Sequence, residues 1–245
     1  MDICKLCLEK KELKRSHIIP EFVFKPLYDE KHCFHALGVR SLKKLQKGIR
    51  EKLLCGECEG RLSKYEHYMS QVGGNPKIKK SRNGRFVTIE GLDYKKVRLF
   101  GLSILWRASV SSLKLFRELR LGPHEDIIRK MILTDNPGNP SKYPFMLMEI
   151  VNEGEVMADL IMPPLTGRYK GYRYYRFVFG GCMWIFVVSS HEFPSKITKA
   201  AISKEGKMVM DTREVVEIQF IVDFMKEAIK NPKHQPYLNK YLELE

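Results

Sequence analysis

Two Cys-x-x-Cys pairs, Cys4 with Cys7 and Cys55 with Cys58, constrain this chain more than any other feature of its sequence. Four thiolates close a tetrahedral structural zinc site and leave no coordination position open for chemistry. An ordinary zinc ribbon has about 15–20 residues between its two pairs, whereas 47 residues separate Cys7 from Cys55 here. We therefore expect a structural Zn²⁺ and an insert long enough to hold a separate site. The alternative is two unrelated pairs of thiols.

The composition indicates a protein with a sizeable core and a basic surface. The chain has 245 residues, 44% of them hydrophobic, which fits one large domain or two small ones. Its net charge of +14 is uneven, because residues 1–91 carry 20 Lys and Arg against 11 Asp and Glu. Such an excess is typical of a surface that binds phosphates, although basic surfaces also serve solubility.

The first residues, Met1-Asp2-Ile3-Cys4, lack the basic start and apolar core of a secretory leader, so we expect none. No apolar stretch reaches the ~20 residues that a membrane-spanning helix needs. Four of the six cysteines stand in the two pairs, and Cys33 and Cys182 are isolated. Metal ligation in a reducing compartment therefore explains the cysteines better than disulfides do. We expect a cytoplasmic protein with no membrane partner.

The chain divides into three stretches. Residues 1–70 hold the cysteine pairs and are expected to form a zinc-stapled module. Residues 71–86 are glycine-rich and basic, which predicts an exposed linker. Residues 87–245 combine helical and strand-like patterns, which predicts an α+β domain with a helical hairpin and an antiparallel sheet.

Several elements of that second domain are predicted by spacing. Apolar residues over 92–120 favour one long buried helix, and Gly122-Pro123 starts a shorter helix that ends before Asp135. Turn-forming residues around Gly154 and at Gly180-Gly181 separate strand-like segments and predict two hairpins. The amphipathic pattern of 212–230 predicts a helix over one face of the sheet.

Two peptides carry a more specific signal, Ser16-His17-Ile18-Ile19-Pro20 and Leu53-Leu54-Cys55-x-x-Cys58-Glu59. With the first cysteine pair, they resemble the HNH endonuclease family over residues 4–70. The resemblance implies a ββα-metal fold on a treble-clef zinc module. It also implies that His17 is the general base that deprotonates the attacking water, and that Glu59 is a ligand of a catalytic Mg²⁺ or Mn²⁺. A histidine with an ordinary pKa near ~6.5 suits a base at neutral pH.

The chain departs from the family pattern at two of these positions. Ser16 stands where the family has Asp or His, and Glu59 stands where it has His. A carboxylate oxygen is a good ligand for a hard divalent cation, so the second change keeps a metal ligand. Glu66 lies seven residues further on, roughly on the same helix face, and is a candidate second ligand. The alternatives are a structural histidine at His17 and solvated charges at Glu59 and Glu66.

Basic residues are the candidates for binding nucleic acid. The orienting Asn of the family is not apparent near Cys55, and Arg50 in that neighbourhood is a candidate phosphate contact. The linker is expected to grip the DNA backbone through Lys77, Lys79, Lys80 and Arg82.

Two further clusters allow a structural and a functional interpretation. His32, Cys33 and His35 could ligate a metal or could belong to a turn or a strand edge. Tyrosines and arginines alternate over 168–177, a composition that could stack bases and hold phosphates. An amphipathic strand with aromatic cross-strand pairs would have the same composition.

The sequence thus favours a metal-dependent HNH-type endonuclease that hydrolyses phosphodiester bonds in DNA, with RNA as the second substrate to consider. Bacterial defence or a mobile element would suit such an activity. The alternative is a zinc module that has lost its catalytic metal and binds nucleic acid or a protein partner. In a third hypothesis, residues 87–245 sense a partner or ligand and switch the first domain.

Overall fold

The computed structural model describes residues 2–31, 33–38, 41–191, 193 and 198–232, with the backbone alone at 34–38 and 41–45. The helices are α1 (Gly56–Gln71), α2 (Tyr94–Val110), α3 (His124–Leu133) and α4 (Gln219–Ile229). Short 3-10 helices lie at Glu21–Leu27, Val72–Gly74, Lys114–Phe116 and Val215–Glu217.

The N-terminal part contains three small antiparallel sheets that precede or lead into α1. Their strands are β1 (Asp2–Ile3) with β2 (Lys10–Lys11), β3 (Leu13–His17) with β6 (Arg50–Cys55), and β4 (Cys33–Gly38) with β5 (Ser41–Gln46).

An eight-stranded sheet forms the rest of the framework, in the order β11-β12-β13-β9-β14-β8-β7, with β10 paired to β9. All neighbours are antiparallel except β14 and β9, which are parallel. The predicted antiparallel sheet is therefore a mixed one. Its strands are β7 (Lys79–Asn83), β8 (Phe86–Glu90), β9 (Phe145–Asn152), β10 (Glu155–Val156), β11 (Met162–Tyr169), β12 (Tyr172–Phe179), β13 (Cys182–Val188) and β14 (Met208–Glu214).

Both faces of this sheet are covered. On one face α2 packs its apolar surface against aromatic side chains of the sheet such as Phe145 and Trp184, and this core continues into the N-terminal part through residues such as Leu62. On the other face α4 covers a smaller cluster that includes Ile150 and Ile221. The α+β fold class and the predicted helix over one sheet face are therefore confirmed.

The predicted helix over 92–120 is too long, because α2 ends at Val110. Ser111 is extended, with φ −71° and ψ 140°. Its hydroxyl and that of Ser112 donate hydrogen bonds to Glu51 in β6, at 2.6 and 2.5 Å. A tertiary contact therefore stops the helix where local propensity alone would have extended it.

Other predicted elements are in place with changed bounds. Helix α3 ends at Leu133, before the left-handed Asp135, as expected. The β12–β13 hairpin has the predicted turn, with Phe179 opposite Cys182. Of the predicted helix over 212–230, the first residues belong to β14 and the helical part begins at Gln219. In β14 only Met208 and Met210 are buried and the other residues are half-buried, so the strand has little period-2 pattern to detect in the sequence.

The predicted linker over 71–86 is partly a regular element. All five residues of β7 are exposed, as a linker would be, yet they pair with β8 as the edge strand of the large sheet. Lysines on an edge strand discourage pairing with another chain, which explains a basic composition without any ligand. The division of the chain into two domains stays a prediction. Among the described residues, no helix has both the length and the apolar character needed to cross a membrane.

Candidate metal centre and adjoining site

The four paired cysteines come together at one point of the N-terminal part. Cys4 and Cys7 lie on the tight turn between β1 and β2, Cys55 ends β6, and Cys58 lies in the first turn of α1. Their sulfur atoms all lie within 4.8 Å of one another, and the sulfurs of Cys7 and Cys55 are 3.9 Å apart. Tetrahedral zinc with Zn–S bonds of about 2.3 Å places its sulfurs roughly 3.8 Å apart. The donor set is therefore compatible with a structural zinc ion.

The surroundings of the cluster favour at least one thiolate. Burial acts to raise the pKa of the Cys4 thiol, but hydrogen bonds from the backbone, including the Cys55 N–H at 3.3 Å, outweigh burial and lower that pKa to about 7. Burial raises the pKa of Cys58 well above its usual value. A bound divalent cation would reverse this effect, since a coordinating thiol is deprotonated outright.

The strand pair β3–β6 carries the other predicted residues and leads directly into α1. In its register, Ser16 lies opposite Glu51 and His17 opposite Arg50. The register shifts between Lys14 and Arg15, which marks a bulge just before the predicted catalytic peptide. Bulges bend a strand and redirect its side chains.

Ser16 and Glu59 are in direct contact, although 43 positions separate them in sequence. Ser16 is fully buried, and its hydroxyl donates a hydrogen bond to the Glu59 carboxylate. Glu59 lies in the first turn of α1, where a negative charge is favoured by the helix dipole. The structure thus joins the two peptides that carry the sequence signal.

His17 is half-buried at the end of β3, and its ring is oriented by a backbone carbonyl. Nε2 of His17 lies 3.0 Å from the carbonyl oxygen of Lys47. Because a carbonyl oxygen only accepts hydrogen bonds, Nε2 carries the proton and the neutral ring has its lone pair on Nδ1. The left-handed Lys47 and Gly48 form the turn that positions this carbonyl. A Cβ on Gly48 would lie 3.2 Å from the His17 ring, so the turn is closely fitted to the histidine.

Arg107, on α2, connects this strand to the rest of the fold. Its side chain is only 1% exposed. One terminal nitrogen donates to the His17 carbonyl oxygen at 2.6 Å and lies 2.7 Å from a carboxylate oxygen of Glu66. Glu66, the predicted second metal ligand, therefore serves as the counter-ion of Arg107. The sequence does not single out Arg107 for this role, because α2 buries a second arginine, Arg98, in the same run of mainly apolar residues.

The predicted nucleic-acid contacts lie in two places. Arg50 is half-buried opposite His17, beside the site. The exposed cations of β7 lie on the edge of the large sheet, and Arg82 pairs there with Glu149 at 2.8 Å. In the structure, Lys79, Lys80 and Arg82 therefore do not contact His17 or Glu59. His32 and the side chain of His35 lie outside the described residues.

The described residues contain one group of three or more cysteine, histidine or carboxylate side chains able to share a metal ion, the four cysteines. Among these residues, Glu59 and Glu66 therefore belong to no group of three or more ligands that could share a metal ion. The fold and the site together show an α+β protein with a cluster of four cysteines that could hold a metal ion. Comparison of the chain with protein-family models, with curated proteins and with solved structures found no match.

Proposed function

We propose that this protein is a metal-dependent endonuclease of the HNH type that hydrolyses phosphodiester bonds in DNA, and that its four cysteines hold Zn²⁺. The observation that carries the proposal is the contact between Ser16 and Glu59. Ser16 precedes His17 on β3, and Glu59 follows the second cysteine pair on α1. Their contact therefore joins the β3–β6 strand pair to the helix that follows it. This contact supports the proposal because the resemblance to HNH endonucleases implies a catalytic metal held between a strand pair and the helix that follows it.

His17 would act as the general base. Its Nε2 proton is held by the Lys47 carbonyl, so Nδ1 is the atom that accepts the proton of the attacking water. Arg107 fixes the backbone of the same residue through its carbonyl oxygen. A base held at both the ring and the main chain loses little entropy in reaching its working position.

Glu59 would hold the divalent cation, and Ser16 would orient the Glu59 carboxylate. The cation would supply Lewis-acid stabilisation of the charge on the scissile phosphate and the leaving oxygen. Arg50, which lies opposite His17 in the strand pair, would contact a neighbouring phosphate. Zn²⁺ in the cysteine cluster would hold the start of α1, and with it Glu59, against β3.

A second candidate function is a binding module without catalysis. It is favoured by the partner of Glu66, the predicted second metal ligand, whose carboxylate is neutralised by Arg107. In this alternative the zinc-stapled part docks nucleic acid or a protein, and the buried polar contacts only stabilise the fold.

Substitution of Glu59 by Gln tests the metal site. A neutral amide binds a hard cation less well than a carboxylate, so Glu59→Gln should require at least about tenfold more Mg²⁺ or Mn²⁺ for half-maximal cleavage of a supercoiled plasmid, a loss of about 1.4 kcal/mol in metal binding. Glu57→Gln is the matched control, because Glu57 lies on the same helix, is exposed and pairs with Lys11.

The control variant should keep the metal dependence of the wild type. If the Glu59 and Glu57 variants need the same metal concentration, Glu59 is not a ligand of the catalytic metal. Absence of metal-stimulated cleavage in the wild type would favour the binding module.

A further inference from the structure

The hairpin formed by β11 and β12 lies in a segment without acidic residues. Residues 160–191 contain no Asp or Glu, while Arg168, Lys170, Arg173 and Arg176 all fall within them. Strand β11 is the edge of the large sheet opposite to β7. The hairpin itself therefore contributes cations and no carboxylate, and in the neighbouring loop the exposed Glu118 pairs with Arg117 at 3.0 Å.

Arg168 and Arg173 lie directly opposite each other in the hairpin register, and both are exposed. Like charges at opposed positions of an antiparallel pair destabilise it. In the part of the chain that the structure describes, neither arginine forms an ion pair with a carboxylate. An arrangement that costs stability and lacks a counter-ion within these residues is suited to an external anion.

Two more cations extend this surface. The Arg120 carbonyl oxygen accepts hydrogen bonds from the Arg173 guanidinium at 3.2 Å and from the buried Tyr175 hydroxyl at 2.5 Å. The 3-10 turn that begins at Lys114 lies against β11. We call the exposed cations Lys114, Arg120, Arg168 and Arg173 the hairpin surface.

The hairpin surface is connected to the strands of the candidate site. The loop that carries Lys114 and Arg120 begins at Ser111 and Ser112, whose hydroxyls hold Glu51 of β6. Glu51 in turn lies opposite Ser16 in the β3–β6 register. A short, hydrogen-bonded path of chain thus joins the hairpin surface to the strand that presents His17.

The tyrosines of the hairpin are mostly occupied within the protein. The Tyr172 ring packs on Phe193, with centroids 4.6 Å apart. The Tyr174 ring lies across Gly167, so closely that a Cβ there would be 2.4 Å from it. Tyr169 is 60% exposed, but the Lys170 ammonium lies over its ring, 5.6 Å from the ring centroid. These contacts favour recognition of a phosphate backbone over a platform that stacks successive bases.

We propose that the hairpin surface binds the phosphate backbone of duplex DNA and leads it to the candidate site. The choice of DNA rests on the proposed function. The location departs from the sequence-based expectation, which assigned backbone contact to the lysines of β7.

Two double variants with the same change in charge compare the two edges of the sheet. Arg168→Gln/Arg173→Gln removes two cations from the hairpin surface, and Lys79→Gln/Lys80→Gln removes two from β7. Binding of a labelled duplex is measured by fluorescence anisotropy from 50 to 300 mM KCl, without added Mg²⁺ or Mn²⁺. Removal of each cation that neutralises a phosphate should reduce the slope of log K against log salt by about 0.9, so the hairpin variant should show a slope smaller by about 1.8.

The β7 variant should keep the wild-type slope. A third variant, Arg168→Lys/Arg173→Lys, retains charge and should keep most of the slope, while circular dichroism verifies that all variants fold. An unchanged slope in the hairpin variant, an equal reduction in both double variants, or no binding of duplex by the wild type would each overturn the proposal.

The assay separates this inference from the proposed function. If the hairpin surface binds duplex DNA but the protein does not cleave it, the nuclease proposal is wrong and the proposed binding surface stands. If the protein cleaves DNA equally well without Arg168 and Arg173, the proposed binding surface is wrong and the nuclease proposal stands.

Discussion

At the scale of single residues, Arg107 is the side chain on which the candidate site most depends for its shape. It is buried, belongs to α2, and ties the main chain of His17 to the carboxylate of Glu66. Neither partner is near it in sequence. A buried pair of this kind is costly to break because the remaining charge loses its partner.

Replacing Arg107 by Met should therefore reduce the free energy of unfolding by about 3 kcal/mol, since it leaves the Glu66 carboxylate half-buried without its cation. The double variant Arg107→Met/Glu66→Met should recover most of that stability, because two apolar side chains can fill the same space without an unpaired charge. Urea unfolding followed by circular dichroism measures both. If the free energy of unfolding of the single variant falls by less than about 1 kcal/mol, Arg107 and Glu66 do not form a buried, coupled pair.

Residue-level predictions from sequence are best where spacing carries chemistry. The spacing within each Cys-x-x-Cys pair is itself typical of a metal site. The structure brings all four sulfur atoms together. The sequence also singles out the peptides around His17 and Glu59, and the structure brings Ser16 of the first into contact with Glu59 of the second. The sequence alone indicates no more than a structural residue at Arg107, because its link to His17 depends on how α2 packs, which no local pattern encodes.

At the scale of elements, α2 shows how packing overrides propensity. Gly101 stands in the middle of this helix, where glycine costs up to about 1 kcal/mol relative to alanine. A Cβ at this position would lie 2.6 Å from the ring of Phe145 on β9. The glycine is therefore what lets the helix approach the sheet closely.

Gly101→Ala should consequently destabilise the protein by about 1–3 kcal/mol despite its better helix propensity. Gly60→Ala on α1 is the matched control, because no atom lies within 4 Å of the added Cβ, and it should stabilise by up to about 1 kcal/mol. Thermal and urea unfolding of both variants measure the difference. Two changes of the same sign would contradict the packing argument.

Elements are predicted well where the signal is a turn and poorly where a distant contact decides. The β12–β13 hairpin follows from its two glycines, whereas the end of α2 depends on Glu51 in β6. The sequence predicts a linker where β7 lies because an exposed edge strand and an irregular arm have the same basic composition.

At the scale of the whole molecule, the large sheet and the part that holds the four-cysteine cluster share one core, and α2 lies between them. Fold class followed from the sequence because helical and strand periods are local properties. Strand order did not, since β14 enters between β8 and β9 from about sixty residues further along the chain. This arrangement places the hairpin surface and the strand of His17 in one connected framework.

The most direct test of this account is the rate of metal-dependent DNA cleavage by His17→Ala, measured beside the wild type and His67→Ala. His67 is an exposed histidine on α1 and serves as the matched control. The account predicts that His17→Ala cuts a plasmid with Mg²⁺ or Mn²⁺ ~10²–10⁴ times more slowly than the wild type. It also predicts that all three proteins hold about one zinc per chain and melt at similar temperatures. Cleavage by His17→Ala at the wild-type rate, or no metal-dependent cleavage by the wild type, would contradict it.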